Sequence, residues 1–288
     1  MIWLPQSALA QELGGTLQQI KESGVIQVGY RENAVPFSYL DEKGQPIGYG
    51  IDYVKLVAQA IKEKLGLPQL QVKMLPISIQ NRIPLLLRNA YDFECSATSN
   101  NSERQKQVSF SNTFFISSAR LLVNNNVGIN NLAELRSKNV VVIAGTTASD
   151  NLHDLNFRTQ LGLRIISTQS YNEAFKILES GLAEALVWDD IILASEIAIR
   201  PELRNWRMVG TPLSYEAYGC MLRSRDPQFK QLIDGVIAEA QLSGKAEELF
   251  NYWFIQPIAY HGHSINMNFA MSEAMRKLFQ NPNDRPFQ

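Results

Sequence analysis

From about residue 24, short β-branched runs alternate with stretches whose apolar residues recur every three or four positions, and that alternation directs the chain toward an α/β sheet. Residues 25–28 predict a first strand. Ile51, Val54, Val57, Ile61 and Leu65 fall on one face of an amphipathic helix that ends near Gly66 and Pro68. Residues 71–75 predict the next strand, Ile79, Ile83 and Leu86 the apolar face of a helix, and 93–95 a third strand. After residue 123 the pattern breaks at asparagines 124–126 and Gly128, and a fresh alternation starts. Its strands fall at 140–143, 163–166 and 185–188, with helices around 149–160 and 171–180; Ala174, Phe175, Leu178 and Leu182 form the apolar stripe of the second. Beyond Gly210 and Pro212, residues 217–222 predict a strand that leads into a long helix through Phe229, Leu232, Ile233, Val236 and Ala240. Two α/β units of similar size, joined twice, satisfy this order.

Composition narrows the function. With 27 basic and 28 acidic side chains the net charge is −1, which argues against a nucleic-acid footprint or a polybasic membrane patch. Any bound anion must therefore be held by local design. Residues 1–10 end in Ala8-Leu9-Ala10, followed by polar Gln11 and Glu12, a pattern that predicts the end of a secretory signal; a frayed cytosolic N-terminus is the alternative. No later stretch has the roughly 20 apolar residues of a membrane span. Cys95 and Cys220 lie far apart, without CxxC spacing or a metal-ligand cluster, and neither stands near the N-terminus to take a lipid anchor. One disulfide and two buried thiols are both open to them. His261 and His263 form an HxH pair without further ligands nearby, so it predicts an exposed tail and no metal site.

Ligands of open α/β sheets bind beyond the carboxyl ends of the strands. Arg31, the segment 97–100 (Ala97, Thr98, Ser99 and Asn100), Gly145 with Thr146 and Thr147, and Asp189 with Asp190 all fall at such exits. A zwitterionic amino acid needs donors for its α-carboxylate and an anionic acceptor for its ammonium. The segment 145–147 stands just before a helix, where free N–H groups and the macrodipole favour an anion. Arg104 adds a bidentate fork for the same carboxylate. Asp189 or Asp190 is the ammonium acceptor. The bland alternatives are a solvated loop arginine for Arg31 or Arg82, an exposed helix turn for Arg104, and a simple cap for Thr146 and Thr147. Phe37 is either a ligand contact or plain core.

Four stretches, 30–38, 80–86, 92–106 and 216–223, make the chain resemble the periplasmic glutamate/aspartate-binding proteins of ABC transporters, within the family 3 solute-binding proteins. The likeness runs from about residue 16 to Asp284, including 266–269. It implies a two-lobed periplasmic-binding-protein clamshell of type II with two hinge strands. Residues 16–118 with 218–288 would form one lobe and 119–217 the other, after a residual signal segment at 1–15. It also implies an exported monomer that is soluble in the periplasm, carries no lipid anchor or cofactor, and hands its ligand to a permease in the inner membrane. By position Arg104, Thr98 or Ser99, and Thr147 would hold the α-carboxylate, Asp189 ahead of Asp190 the ammonium, and Arg31 with Arg82 the side-chain carboxylate. Three positions depart from the family pattern. Ile79 and Ala97 stand where serines would contact the ligand or its site, and Tyr171 where a histidine would reach the distal carboxylate. These changes leave glutamate, aspartate and their amides open.

An enzyme is the rival from another class, because some clamshell proteins are dehydratases or lytic enzymes. Neither G-x-S-x-G, H-E-x-x-H, a P-loop nor a dinucleotide fingerprint occurs. The resemblance implies no catalytic residue.

Overall fold

The alternating pattern folds into one eight-stranded sheet, in which two long central strands carry the chain from one lobe to the other. A computed structural model describes residues 12–287; the expected signal segment at 1–10 lies outside them. The strands are β1 (Val25–Tyr30), β2 (Gln71–Pro76), β3 (Phe93–Glu94), β4 (Val108–Asn124), β5 (Asn139–Ile143), β6 (Arg164–Thr168), β7 (Ala185–Asp189) and β8 (Trp206–Arg223). Across the sheet they run β2-β1-β3-β8-β4-β7-β5-β6. The outer sets, β2-β1-β3 and β7-β5-β6, are parallel, whereas β4 and β8 pair antiparallel to each other. The first set anchors one lobe, the second the other, and the β4–β8 ribbon joins them.

This ribbon is where the pattern of residues and the fold diverge. Of the two strands only 217–222 reads as one in the sequence, yet β4 is 17 residues long and β8 is 18. Most of β4 is buried on both faces, so the period-two signal of a half-exposed strand is missing. In β8 the Gly210–Pro212 break is absorbed by a register shift between Val209 and Ser214, with Gly210 at φ +73°.

Ten α-helices flank the sheet among the described residues: α1 (Gly15–Ser23), α2 (Tyr49–Leu65), α3 (Arg82–Leu87), α4 (Ser102–Gln105), α5 (Thr147–Thr159), α6 (Tyr171–Glu179), α7 (Asp190–Ile199), α8 (Pro227–Leu242), α9 (Lys245–Phe250) and α10 (Glu273–Gln280). Helix α2 ends where expected, at Gly66 with φ +62°. Leu182 is a correction: it falls beyond α6 and is 61% exposed, outside the stripe of Ala174, Phe175 and Leu178. His261 and His263 are exposed in a short hairpin.

Phe37 is fully buried. Its ring packs edge-on against Phe115 at 4.9 Å and Tyr218 at 5.3 Å, in a cluster that also takes in Tyr49 and Phe254. Such pairs contribute about 0.5–1.5 kcal/mol each beyond burial. That cluster fixes β8 beside the cleft. Cys95, just past β3, is bonded to Cys220 in β8, so the open question of the two thiols resolves as a disulfide.

Candidate functional site

The cleft between the lobes closes on a cavity of about 20 Å³ lined by residues from both sides. That volume admits about one water. Nine residues expected to bind ligand line it: Arg31, Arg82, Ala97, Ser99 and Arg104 from the first lobe, and Thr146, Thr147, Tyr171 and Asp189 from the second. Ile79, Trp188 and Ile192 complete the wall. Trp188 and Ile192 carried no polar signal in the sequence, although Trp188 is the neighbour of Asp189 at the end of β7.

Each arginine is held by backbone or hydroxyl partners. Arg31 follows β1, and Ser38 Oγ brackets its backbone by accepting from its N–H and donating to its carbonyl, both at 2.8 Å. Its Nη2 donates to the Tyr171 hydroxyl at 2.8 Å. Arg82 opens α3; its Nη1 donates to Thr98 Oγ1 at 2.6 Å, and Thr98 donates to Glu94 at 2.6 Å. Arg104 lies on α4, whose cap residue Asn101 accepts from the Arg104 N–H. Its Nη1 donates to the Ser99 carbonyl at 2.8 Å and its Nη2 crosses the cleft to the Gly145 carbonyl at 3.2 Å.

Among the described residues, none of the three arginines makes an ion pair. All are buried, and Arg82 Nε has no hydrogen-bond partner. Burial and then the charge of Arg104 push the Arg82 guanidinium down to about 9. Burial lowers Arg104 as well, against the opposing pull of Glu216. Glu94 and Glu216 oppose these shifts from behind the cavity without pairing with a guanidinium, so the arginine forks that line it are placed to receive an anion.

The second lobe offers the complementary groups. Thr146 caps α5, its hydroxyl accepting from the Ser149 N–H at 3.1 Å, so the cap and the anion-facing helix terminus coexist. Gly145, at φ +78°, approaches Ile79 across the cleft: an added Cβ would stand 3.3 Å from Ile79 Cγ2. Thr147 Oγ1 lies 3.3 Å from Ser99 Oγ and donates to Glu216 at 2.8 Å. Glu216 on β8 is thus a buried support behind the cavity. Together with Tyr218 it escaped the residue-type reading, although both belong to the stretch 216–223.

Asp189 ends β7 with Oδ1 buried and unpartnered. Burial, and next the neighbouring Glu216 charge, raise its pKa well above the ordinary value. Asp190 and Thr98 do not line the cavity. Both Asp190 oxygens are taken by Ser117 and Ser118 of β4, and Thr98 supports Arg82 from behind. Among the described residues no cluster of three or more His, Cys, Asp or Glu could hold a metal ion.

A two-lobed clamshell with a charged cavity between its lobes is the architecture of solute-binding proteins. Residues 26–256 match the family model described as bacterial extracellular solute-binding proteins, family 3, and the chain belongs to that family. It is 49% identical over 276 residues to the "Glutamate/aspartate import solute-binding protein" of Salmonella typhimurium, covering 96% of this chain and 91% of the relative. It is 42% identical to the "L-glutamate/L-aspartate-binding protein" of Pseudomonas aeruginosa, over 98% and 93% of the two chains. Among solved structures, an ancestral arginine-binding protein bound to arginine superposes with a TM-score of 0.71 at 26% identity, covering 80% of this chain and 98% of that one. A mutant of ArgBP from T. maritima gives 0.72 at 27%, covering 83% and 99%. These relatives place the fold as the type II clamshell and the chain among binding proteins of transport, in line with the expectation of no enzyme.

Proposed function

We propose that this chain captures an acidic amino acid, L-glutamate or L-aspartate, between its lobes and delivers it to an ABC-transporter permease in the inner membrane. The observation that carries this reading is the charge inventory of the cavity: three buried arginines without an ion pair against the one carboxylate, Asp189, with an open oxygen. A zwitterion takes one cation for its α-carboxylate and one anion for its ammonium. Arg31 and Arg82 then remain to receive a second carboxylate, with buried Glu94 behind Arg82 offsetting the rest of their charge. Arg104 and the α5 N-terminus with Thr147 serve the α-carboxylate, Asp189 the ammonium, and Arg31 with Arg82 the side chain. The names of the relatives from Salmonella typhimurium and Pseudomonas aeruginosa support the same ligands. A basic ligand, as in the arginine-bound neighbour, would add a cation to a cavity already rich in them.

In this reading the lobes are 16–118 with 218–288, and 119–217, and they part about the β4–β8 ribbon. The protein acts as a periplasmic monomer. No helix among the described residues is long and apolar enough to cross a membrane. A cavity of about 20 Å³ is too small for any amino acid, so the lobes must part for entry. Thermal unfolding of ligand-stripped protein against the twenty amino acids tests the proposal, because a ligand at 100 times its Kd stabilises by about 2.7 kcal/mol. L-Aspartate and L-glutamate should raise the midpoint most. A larger rise with arginine, lysine or histidine overturns the proposal.

A further inference from the structure

We propose that Tyr171 sets the length of the side-chain end of the cavity, so that the site selects aspartate over glutamate. This rests on the acidic-amino-acid reading above and goes beyond it in ranking two ligands that differ by one methylene.

Tyr171 is the first residue of α6, 4% exposed, and its ring stands edge-on to Trp188 with centroids 4.1 Å apart. That packed neighbour blocks the ring from swinging toward Trp188. Its hydroxyl accepts from Arg31 Nη2 at 2.8 Å, and the Arg31 guanidinium carbon lies 5.6 Å from the ring centroid. Arg31 belongs to one lobe and Tyr171 to the other, so closure itself brings the tyrosine onto one prong of the arginine fork. A distal carboxylate must then be received short of the ring. Donors are available there: Arg82 Nε is buried without a partner, and Arg31 retains its other N–H groups.

Ile79 and Ala97 line the same cavity with apolar side chains, Ile79 buried and packed close to Gly145 across the cleft. The closed cavity of about 20 Å³ holds no reserve of space. Any amino acid must push the walls apart, and each added methylene at the side-chain end demands more separation of Tyr171 from Arg31 across the cleft. One methylene in an apolar pocket discriminates by about 10- to 200-fold.

Calorimetric titration of ligand-stripped protein with L-aspartate and L-glutamate tests this, in the parent chain and in Tyr171→Ala and Tyr171→Phe. The expected result is aspartate tighter by roughly tenfold or more in the parent. Tyr171→Phe keeps the ring and should keep the preference, whereas Tyr171→Ala should bring the ratio to about one or reverse it. Glutamate binding as tightly as aspartate in the parent, a Phe variant that loses the preference, or an Ala variant that retains it overturns the proposal. If the Ala variant does not fold, the parent and Phe ratios decide. Failure of both ligands to bind the parent removes the acidic-ligand reading itself, whereas tight glutamate binding removes only the length selection.

Discussion

Tyr218 on β8 donates its hydroxyl proton to Asp189 Oδ2, while Oδ1 of the same carboxylate is buried with no partner. The tyrosine is itself clamped between Phe37 and Phe115, so the aromatic core of one lobe holds the anion of the other in position. The carboxylate is half satisfied, and the vacant half faces an ammonium group in the proposed complex.

Asp189→Asn should therefore separate stability from binding. It removes a desolvated charge, so ligand-free protein should become more resistant to urea, while affinity for acidic amino acids falls by about 10- to 100-fold, the equivalent of a charge-assisted hydrogen bond worth about 1.5–3 kcal/mol. Urea unfolding and calorimetric titration of the same preparation check both directions.

The raised pKa of Asp189 has a defined pH signature. Its folded value lies above the ordinary 3.8, so ligand-free folded protein binds more protons than unfolded protein between those two values. The group's contribution is thus least unfavourable below 3.8, and stability declines as pH rises from there toward the folded value. An ammonium partner restores the charged form, so ligand binding releases protons within that window. Titrations stepped upward in pH from 3.8, in buffers of different ionisation enthalpy, should show the release, and Asp189→Asn should abolish it.

Asp190, one residue on, should behave in the opposite way. It accepts from Ser117 Oγ at 2.6 Å and from both the N–H and the hydroxyl of Ser118, pinning α7 to β4. Asp190→Ala should cost about 1–3 kcal/mol of stability and weaken ligand binding less than Asp189→Asn does. Denaturant midpoints and titrations of the two variants side by side distinguish the anchor from the ligand contact.

The Cys95–Cys220 bond joins two segments of the lobe that carries β3 and closes a loop with a sequence separation of 125 residues that takes in the whole of 119–217. Replacing both cysteines with alanine should lower stability by about 2–5 kcal/mol. Intact-mass measurement with and without reductant establishes the bond, and urea unfolding of parent and double variant measures its contribution.

Much of this architecture was legible in the residue pattern, and the exceptions share a physical cause. Strands β1 and β5 show β-branched runs, β2 and β7 short apolar ones, and Arg31, Thr147 and Asp189 stand at strand exits or helix starts, where polar side chains become visible against apolar flanks. The lengths of β4 and β8 were hidden because burial on both faces erases alternation and a register shift conceals Gly210 inside a strand. Asp189 and Asp190 could not be told apart by type, since adjacent acids differ only in which way the chain turns them. Arg104 and Arg82 were marked as cations, but their lack of carboxylate partners appears only once the fold assembles them. Tyr171 marked itself as a departure from the family pattern. Its contact with Arg31 joins residues 140 positions apart, a distance that no local spacing reports.

The most direct test of the central claim is a calorimetric titration of ligand-stripped protein with L-aspartate and then with L-asparagine, which match in shape and differ in side-chain charge. If Arg31 and Arg82 await a second carboxylate, aspartate binds at least about 100-fold tighter, since two charge-assisted contacts of about 1.5–3 kcal/mol each are at stake. Asparagine binding as tightly as aspartate would contradict the account.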